Sequence, residues 1–480
     1  MNYRLISQIL GRVVAIEAAL MVVPMLVAVI YHESIVPFLI TIAIGCIVAF
    51  GLMRVHPRSR ELYALEGFVA VALAWIVMSV IGALPFVFSG EIPSFVDAFF
   101  ETVSGFTTTG STILTDIEGM SKGLMFWRCF TNWIGGMGVL VFLMFVLPLN
   151  EEHSMHILRA EMPGPVIGKL VPKVQSTAQI LYIIYTVLTL AIVILLMLGG
   201  MNLYDALVHA FSTAGTGGFS NYAASVAHFD STYIDYVIGI GLLLFGVNFN
   251  LYFLILIGKV KDVYKNEELR WYLGIVLTAS VLIAVAIIDQ YGSFSTAFRY
   301  AFFQVSSIIT TAGHVTANYD LWPMAAQIII FLLMFSGASA GGTNGGVKIS
   351  RLLIAFKTLK NDVVRQIRPR EVNTVKVNGE VVTKETQHTT MVFIVLYVLI
   401  MCIATLIVAL DNFDFTTTFT AVLSCMGNIG PGSGVCGPAG NFASFSDLSK
   451  ITLSMCMLIG RLEIFPVLVL FMPLSWKKKF

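Results

Sequence analysis

The chain of 480 residues is 57% hydrophobic and only 12% charged, against about 25% charged in an average soluble domain, and its mean hydropathy is +0.86. That composition excludes a soluble enzyme, which could not cover so much apolar surface, and a disordered chain, which needs high charge and low hydrophobicity. A formal net charge of +1 leaves no electrostatic footprint for nucleic acid, so an integral membrane protein with most of its mass in lipid remains.

In chain order, Arg4 and Arg12 accompany the apolar run 9–31, which is long enough to span and lacks a small-residue cleavage site. It reads as a retained first helix. Further runs of spanning length fall at 35–53, 67–89, 124–149, 180–198, 234–257, 271–288, 391–410 and 451–472. One more, from Trp322 to Lys357, is interrupted by glycines and reads as a single broken helix. Ten helical crossings are expected, because a backbone in lipid must satisfy its own hydrogen bonds. With both termini in the cytoplasm, 24 of the 29 Lys and Arg lie inside, and only Lys122, Arg128, Arg299 and Lys450 lie outside. This is the positive-inside bias of a correct count. The external face also carries Glu91, Asp97, Glu101, Asp116, Glu118 and Asp205, which would gather cations and repel anions. Cys46, Cys129, Cys402, Cys425, Cys436 and Cys456 fit no zinc spacing and are expected to be buried small hydrophobes.

Between the spans sit four segments too apolar for loops and too short to cross. They read AFFETVSGFTTTGST (98–112), ALVHAFSTAGTGGFS (206–220), AFFQVSSIITTAGHV (301–315) and TFTAVLSCMGNIGPG (418–432). They align without gaps. The seventh position is Ser104, Ser212, Ser307 and Ser424; the eleventh is Thr108, Thr216, Thr311 and Asn428; the thirteenth is Gly110, Gly218, Gly313 and Gly430. Each copy has an apolar first half, expected as a short helix entering the membrane, and a small, polar second half, expected as extended backbone climbing out. Such backbone is tolerated at membrane depth only where it lines a wet cavity or is buried in protein. Four copies about one axis would form a ring of carbonyl oxygens able to replace the hydration shell of an alkali cation. Glycine at the thirteenth position supplies the positive φ that aims carbonyls at the axis.

These repeats, on a fourfold helix–loop–helix frame, resemble the TrkH/TrkG potassium-uptake subunits of bacteria, within a superfamily that includes the Ktr and plant HKT transporters. The resemblance covers essentially the whole chain, and two extra N-terminal helices favour the Trk branch. It implies an all-α integral membrane protein with four pseudo-symmetric pore repeats around a central pore. The expected division is two N-terminal helices (1–66) and repeats at 67–150, 151–258, 259–390 and 391–480. It further implies a potassium filter built from Thr108, Thr109, Gly110, Thr216, Gly217, Gly218, Thr311, Ala312, Gly313, Asn428, Ile429 and Gly430. Also implied are potassium as the transported ion with no cofactor in the chain, a homodimer in the inner membrane, and a cytosolic nucleotide-binding regulatory partner resembling TrkA. No Rossmann-type nucleotide site is expected in the chain itself, where the string GSGVCG (432–437) follows a pore repeat and not a strand, so nucleotide control would come from that partner.

The run FSGASAGGTNGGVKIS (335–350) interrupts the second helix of the third repeat with five glycines. GASAG mimics a nucleophile elbow around Ser339, but that motif needs a strand–turn–helix setting. A hinge or packing break is the plain alternative. The resemblance makes Gly341, Gly342, Thr343, Asn344, Gly345 and Gly346 an intramembrane gating loop. Arg461, within the last span, is costly in a membrane unless it faces a cavity or a partner. It is either one half of an interhelical salt bridge or, as the resemblance implies, a positive group in the pore that raises the barrier for a cation. Glu463, two residues on, does not share its helix face. VKVNGEVV reads as a cytoplasmic hairpin turning at Asn378-Gly379. The leading expectation is potassium uptake; a sodium-conducting or cation-coupled symporter and, remotely, an intramembrane serine hydrolase are the rivals.

Overall fold

The structure, a computed structural model, describes residues 1–55, 63–138, 174–368 and 373–472. Helices α1 (Tyr3–Leu20) and α2 (Val22–Ile30) form one 28-residue span, and α3 (Val36–Met53) packs on α1. The first repeat follows as α4 (Ala64–Ser89), α5 (Phe95–Phe106) and α6 (Lys122–Gly136). The second is α7 (Val174–Leu198), α8 (Leu203–Gly215), α9 (Thr232–Gly246) and α10 (Phe249–Leu256), followed by the short α11 (Val260–Lys265). The third is α12 (Glu267–Tyr291), α13 (Phe294–Ile309), α14 (Met324–Met334) and α15 (Ile349–Ile367). The fourth is α16 (Lys384–Val408), α17 (Phe415–Gly427), α18 (Asp447–Arg461) and α19 (Phe465–Phe471).

The apolar faces divide as membrane burial requires. Ile47, Leu198 and Leu406 are among many large aliphatic side chains exposed on the outside, while the short helices α5, α8, α13 and α17 are buried over their C-terminal halves. Glycines in the left-handed conformation end the long helices α4 (Gly90) and α12 (Gly292), where any other residue would be strained.

Among the described residues, six helices are long and apolar enough to cross a membrane, and the pair Thr232–Gly246 and Phe249–Leu256 makes a seventh if counted as one span. The expected span 124–149 is described only to residue 138. Two expected continuous spans are broken. The span at 234–257 bends by 90°, with Asn248 capping the second piece by accepting from the Asn250 N–H at 2.9 Å. The span at 451–472 stops at Arg461, and Glu463 and Ile464 take φ of +52° and +72° before Pro466 restarts a helix at its first turn. The third repeat's second helix is interrupted between Met334 and Ile349, as expected. Cys46 and Cys402 are exposed, contrary to expectation, and the other four cysteines are buried. Antiparallel β1 (Lys376–Val377) and β2 (Glu380–Val381) pair Lys376 with Val381 and Val377 with Glu380. Asn378 and Gly379 between them have φ of +53° and +83°, the type I′ turn that Asn-Gly favours.

Candidate functional site

The four short helices start alike. Ser94, Asn202, Ser293 and Asp414 cap them, each accepting from the backbone N–H three residues on. The Thr417 hydroxyl and N–H that bond to Asp414 hold its carboxyl below the usual carboxylate range. The helices end at the small, polar halves of the repeats, and there the backbone conformation is the same four times over. Thr108, Thr216, Thr311 and Asn428 have φ of +54°, +53°, +57° and +55°. Gly110, Gly218, Gly313 and Gly430 have φ of +81°, +71°, +77° and +105°. The positive φ at the glycines was legible in the sequence; that at the eleventh position, in non-glycine residues, was not. It is held by one bond, because the N–H of the twelfth residue donates to the carbonyl of the seventh. The four pairs are Thr109 to Ser104, Gly217 to Ser212, Ala312 to Ser307 and Ile429 to Ser424, at 2.8–2.9 Å.

The four segments meet in cyclic order. A β-carbon added to Gly110 would overlap the carbonyl oxygen of Gly217, one on Gly218 that of Ala312, and one on Gly313 that of Ile429. On Gly430 it would lie 2.7 Å from the carbonyl oxygen of Thr109. Each glycine thus abuts the twelfth-position carbonyl of the next repeat, and the fourth closes on the first. These contacts bring Thr109, Gly110, Gly217, Gly218, Ala312, Gly313, Ile429 and Gly430 into one ring, with Thr108, Thr216, Thr311 and Asn428 next to them in sequence.

Behind the ring the returning strands are braced by side chains whose role the sequence did not disclose. Ser212, Ser307 and Ser424 donate to the carbonyls of Phe219, His314 and Gly430 at 2.5, 2.7 and 2.7 Å. The fourth position of three copies is polar for the same purpose. Glu101 accepts from the Thr112 hydroxyl and the Ile113 N–H at 2.9 Å, His209 bonds Ser220 Oγ at 3.0 Å, and Gln304 donates to the Ala317 carbonyl at 3.1 Å. Arg128, one of the four bases assigned to the external face, pairs with Glu101 at 2.6 Å, donates to the Ser220 carbonyl and lies over the Phe219 ring. Lys450 and Arg299 pair with Asp97 and Asp235. Both Arg128 and Glu101 are buried, so removing one strands the other charge. Arg128→Met is expected to cost about 3–5 kcal/mol, read as a lowered Tm and yield of folded protein; an unchanged Tm would show that the brace carries no weight.

The glycine-rich segment lies directly beneath the ring. The Gly345 N–H donates to Thr311 Oγ1 at 2.8 Å, and Thr343 Oγ1 lies 3.3 Å from Thr216 Oγ1. A β-carbon on Gly345 would meet Asn428. Three of the four eleventh-position residues therefore lie against the loop, and Asn428 also reaches the first repeat, donating to the twelfth-position Thr109 Oγ1 at 3.0 Å. The bend between α9 and α10 explains how the loop fits. A helix end leaves carbonyls without intrahelical donors, and here Phe245 and Gly246 accept from the N–H groups of Thr343 and Ser339 at 3.1 Å. The loop reciprocates, the Gly341 carbonyl accepting from the Phe249 N–H at 3.0 Å. Lys348 Nζ, buried, donates to the carbonyls of Asn344 and Gly345. Glu268 Oε1 accepts from the N–H groups of both Ala340 and Ser350, at 2.8 and 3.0 Å.

Arg461 reaches the loop and the first repeat at once. Its guanidinium donates to the carbonyl of Thr343 in the loop at 2.5 Å and to those of Gly135 and Gly136 at the end of α6 at 2.6 and 2.7 Å. It is a cross-link between the loop and the first repeat, and its charge is directed at carbonyl oxygens. The salt bridge expected as the alternative exists, but belongs to others: Glu463 pairs with Arg351. The break after Arg461 turns Glu463 toward α15.

The comparisons agree with this architecture along the whole chain. A family model described as the cation transport protein TrkH matches residues 37–478. The Trk system potassium uptake protein TrkH of Salmonella typhimurium is 37% identical over all of both chains, and that of Escherichia coli strain K12 is 36% identical over the same share. The crystal structure of the potassium transporter TrkH from Vibrio parahaemolyticus superposes with a TM-score of 0.90 at 33% identity, covering 99% of this chain and 100% of the other. With four re-entrant repeats closed into one ring and these full-length matches, the chain belongs to the TrkH family of cation transport proteins.

Proposed function

We propose that this chain is the pore-forming subunit of a bacterial potassium uptake system. The observation that carries the reading is the closed ring, in which each glycine packs on the next repeat's carbonyl. Main-chain oxygens held in fixed register can substitute for the water around a dehydrated alkali cation. In this reading the ion is bound by the backbone of Thr108 to Gly110, Thr216 to Gly218, Thr311 to Gly313 and Asn428 to Gly430. The C-terminal dipoles of α5, α8, α13 and α17 favour a cation below the ring. The loop Gly341 to Gly346 and its cross-link Arg461 form the gate. The chain works as a homodimer in the cytoplasmic membrane with both termini inside, and a cytosolic nucleotide-binding partner resembling TrkA sets the gate. The hydrolase reading lacks a base: Ser339 Oγ is buried and has no hydrogen-bond partner among the described residues, and a serine nucleophile needs one.

The test is rubidium uptake into liposomes holding the purified protein, with potassium and sodium as competitors. Potassium is expected to compete far better than sodium; equal competition would overturn the potassium reading in favour of a sodium-conducting or cation-coupled one. Shortening 341–346 is expected to raise flux per inserted protein. A folded, inserted variant no faster than the parent would remove the loop from gating.

A further inference from the structure

Glu267 and Glu268 open α12 side by side, and they hold two different things. Glu268 ties both ends of the intramembrane loop, through the N–H groups of Ala340 and Ser350, to one carboxylate oxygen. Glu267 holds the β1–β2 hairpin. Its N–H donates to Asn378 Oδ1 at 2.7 Å, and its Oε2 accepts from the Asn378 N–H at 3.4 Å. Its Oε1 pairs with Lys357 at 2.5 Å, and that lysine also donates to the Lys376 carbonyl at 2.7 Å. The hairpin is largely exposed, whereas Ala340 and Ser350 are buried. Adjacent residues in the first turn of one helix share a rigid backbone, so a displacement of one is a displacement of the other.

We infer that Glu267 and Glu268 are positioning residues that join the exposed hairpin to the intramembrane loop, so that moving the hairpin loosens the loop beneath the ring. The inference rests on the reading of the loop as the gate. Two backbone donors on one ionised oxygen make the loop's attachment strong, since hydrogen bonds to charged groups exceed neutral ones. Because that oxygen serves both ends of the loop, a single small rotation of α12 strains both at once. The hairpin is exposed, and its bonds to the body of the protein converge on Glu267 of α12 and Lys357 of α15.

The experiment measures hydrogen exchange of the segment 338–350 in the full-length protein in lipid, with rubidium flux per inserted protein alongside. Asn378→Ala, which removes the hairpin's side-chain bond to the Glu267 N–H and leaves the loop's own bonds in place, is expected to raise exchange in that segment and to raise flux severalfold. Glu268→Gln is expected to raise both by about tenfold, the value of a charge-assisted bond, and Glu268→Asp to restore part of the protection. The double variant Asn378→Ala/Glu268→Gln should exceed Glu268→Gln by little, since both act through one joint. If Asn378→Ala leaves exchange at 338–350 unchanged while Glu268→Gln raises it, the hairpin is not coupled to the loop and the inference fails, with the gate reading intact. If Glu268→Gln frees the loop but flux stays constant, the gate reading itself fails.

Discussion

Gly218→Ala is expected to abolish the preference for potassium over sodium and to cut rubidium uptake at least tenfold. Two costs combine. A left-handed backbone disfavours any residue with a β-carbon by roughly 1–2 kcal/mol, and at Gly218 that carbon would overlap the Ala312 carbonyl oxygen of the ring. The backbone must move, and the oxygen it displaces belongs to the neighbouring repeat. Gly313→Ala and Gly110→Ser meet the same obstacle. Gly430→Ala should be the mildest of the four, since its β-carbon would have 2.7 Å to the Thr109 carbonyl. Competition assays across the four variants check the order. Wild-type discrimination in Gly218→Ala would take the second repeat out of the ring.

Arg461→Ala is expected to raise potassium flux by about tenfold or more without altering ion preference. The side chain bonds the Thr343 carbonyl on one side and the Gly135 and Gly136 carbonyls on the other. Each charge-assisted bond is worth about 1.5–3 kcal/mol, so its loss frees the loop at one of its principal anchors. Arg461→Lys separates this from a simple charge barrier. A lysine keeps the charge but offers one compact donor group in place of a planar fork, and cannot reach both sides at once. A latch predicts that Arg461→Lys behaves nearly like Arg461→Ala; a charge barrier predicts that it behaves like the parent. Flux per inserted protein, with Tm measured on the same samples, decides between them, and a fall in Tm with unchanged flux would reduce Arg461 to a structural tie.

Much of this was readable in advance, and the rest was hidden for identifiable reasons. The repeats were visible because the same backbone geometry demands the same small residues four times, so Gly110, Gly218, Gly313 and Gly430 stood in register. The serines at the seventh position stood in register too, but a serine carries no signature that says which carbonyl it will meet. The break at Val247–Asn248 lay inside a run whose hydropathy is unbroken. Its only signal was Gly246 followed by Asn248, a helix stop and a helix cap two residues apart. For Arg461 the sequence shows a charge within a span but not its carbonyl partners in the loop and on α6, 118 and more than 320 residues away. Glu268 was hidden because an acidic first turn is ordinary for any helix.

The contacts that close the ring, Asn428 with Thr109 and Ser111 with the Gly430 carbonyl, each span 319 residues. A chain elongating at about 5–20 residues per second needs roughly 15–60 s to make that stretch. Through that interval the first repeat is already made while its partner across the seam does not yet exist. A chain that stops before residue 430 lacks the contacts that close the seam. Truncations ending ahead of the fourth repeat are therefore expected to insert without selective conduction, which rubidium flux into liposomes would check.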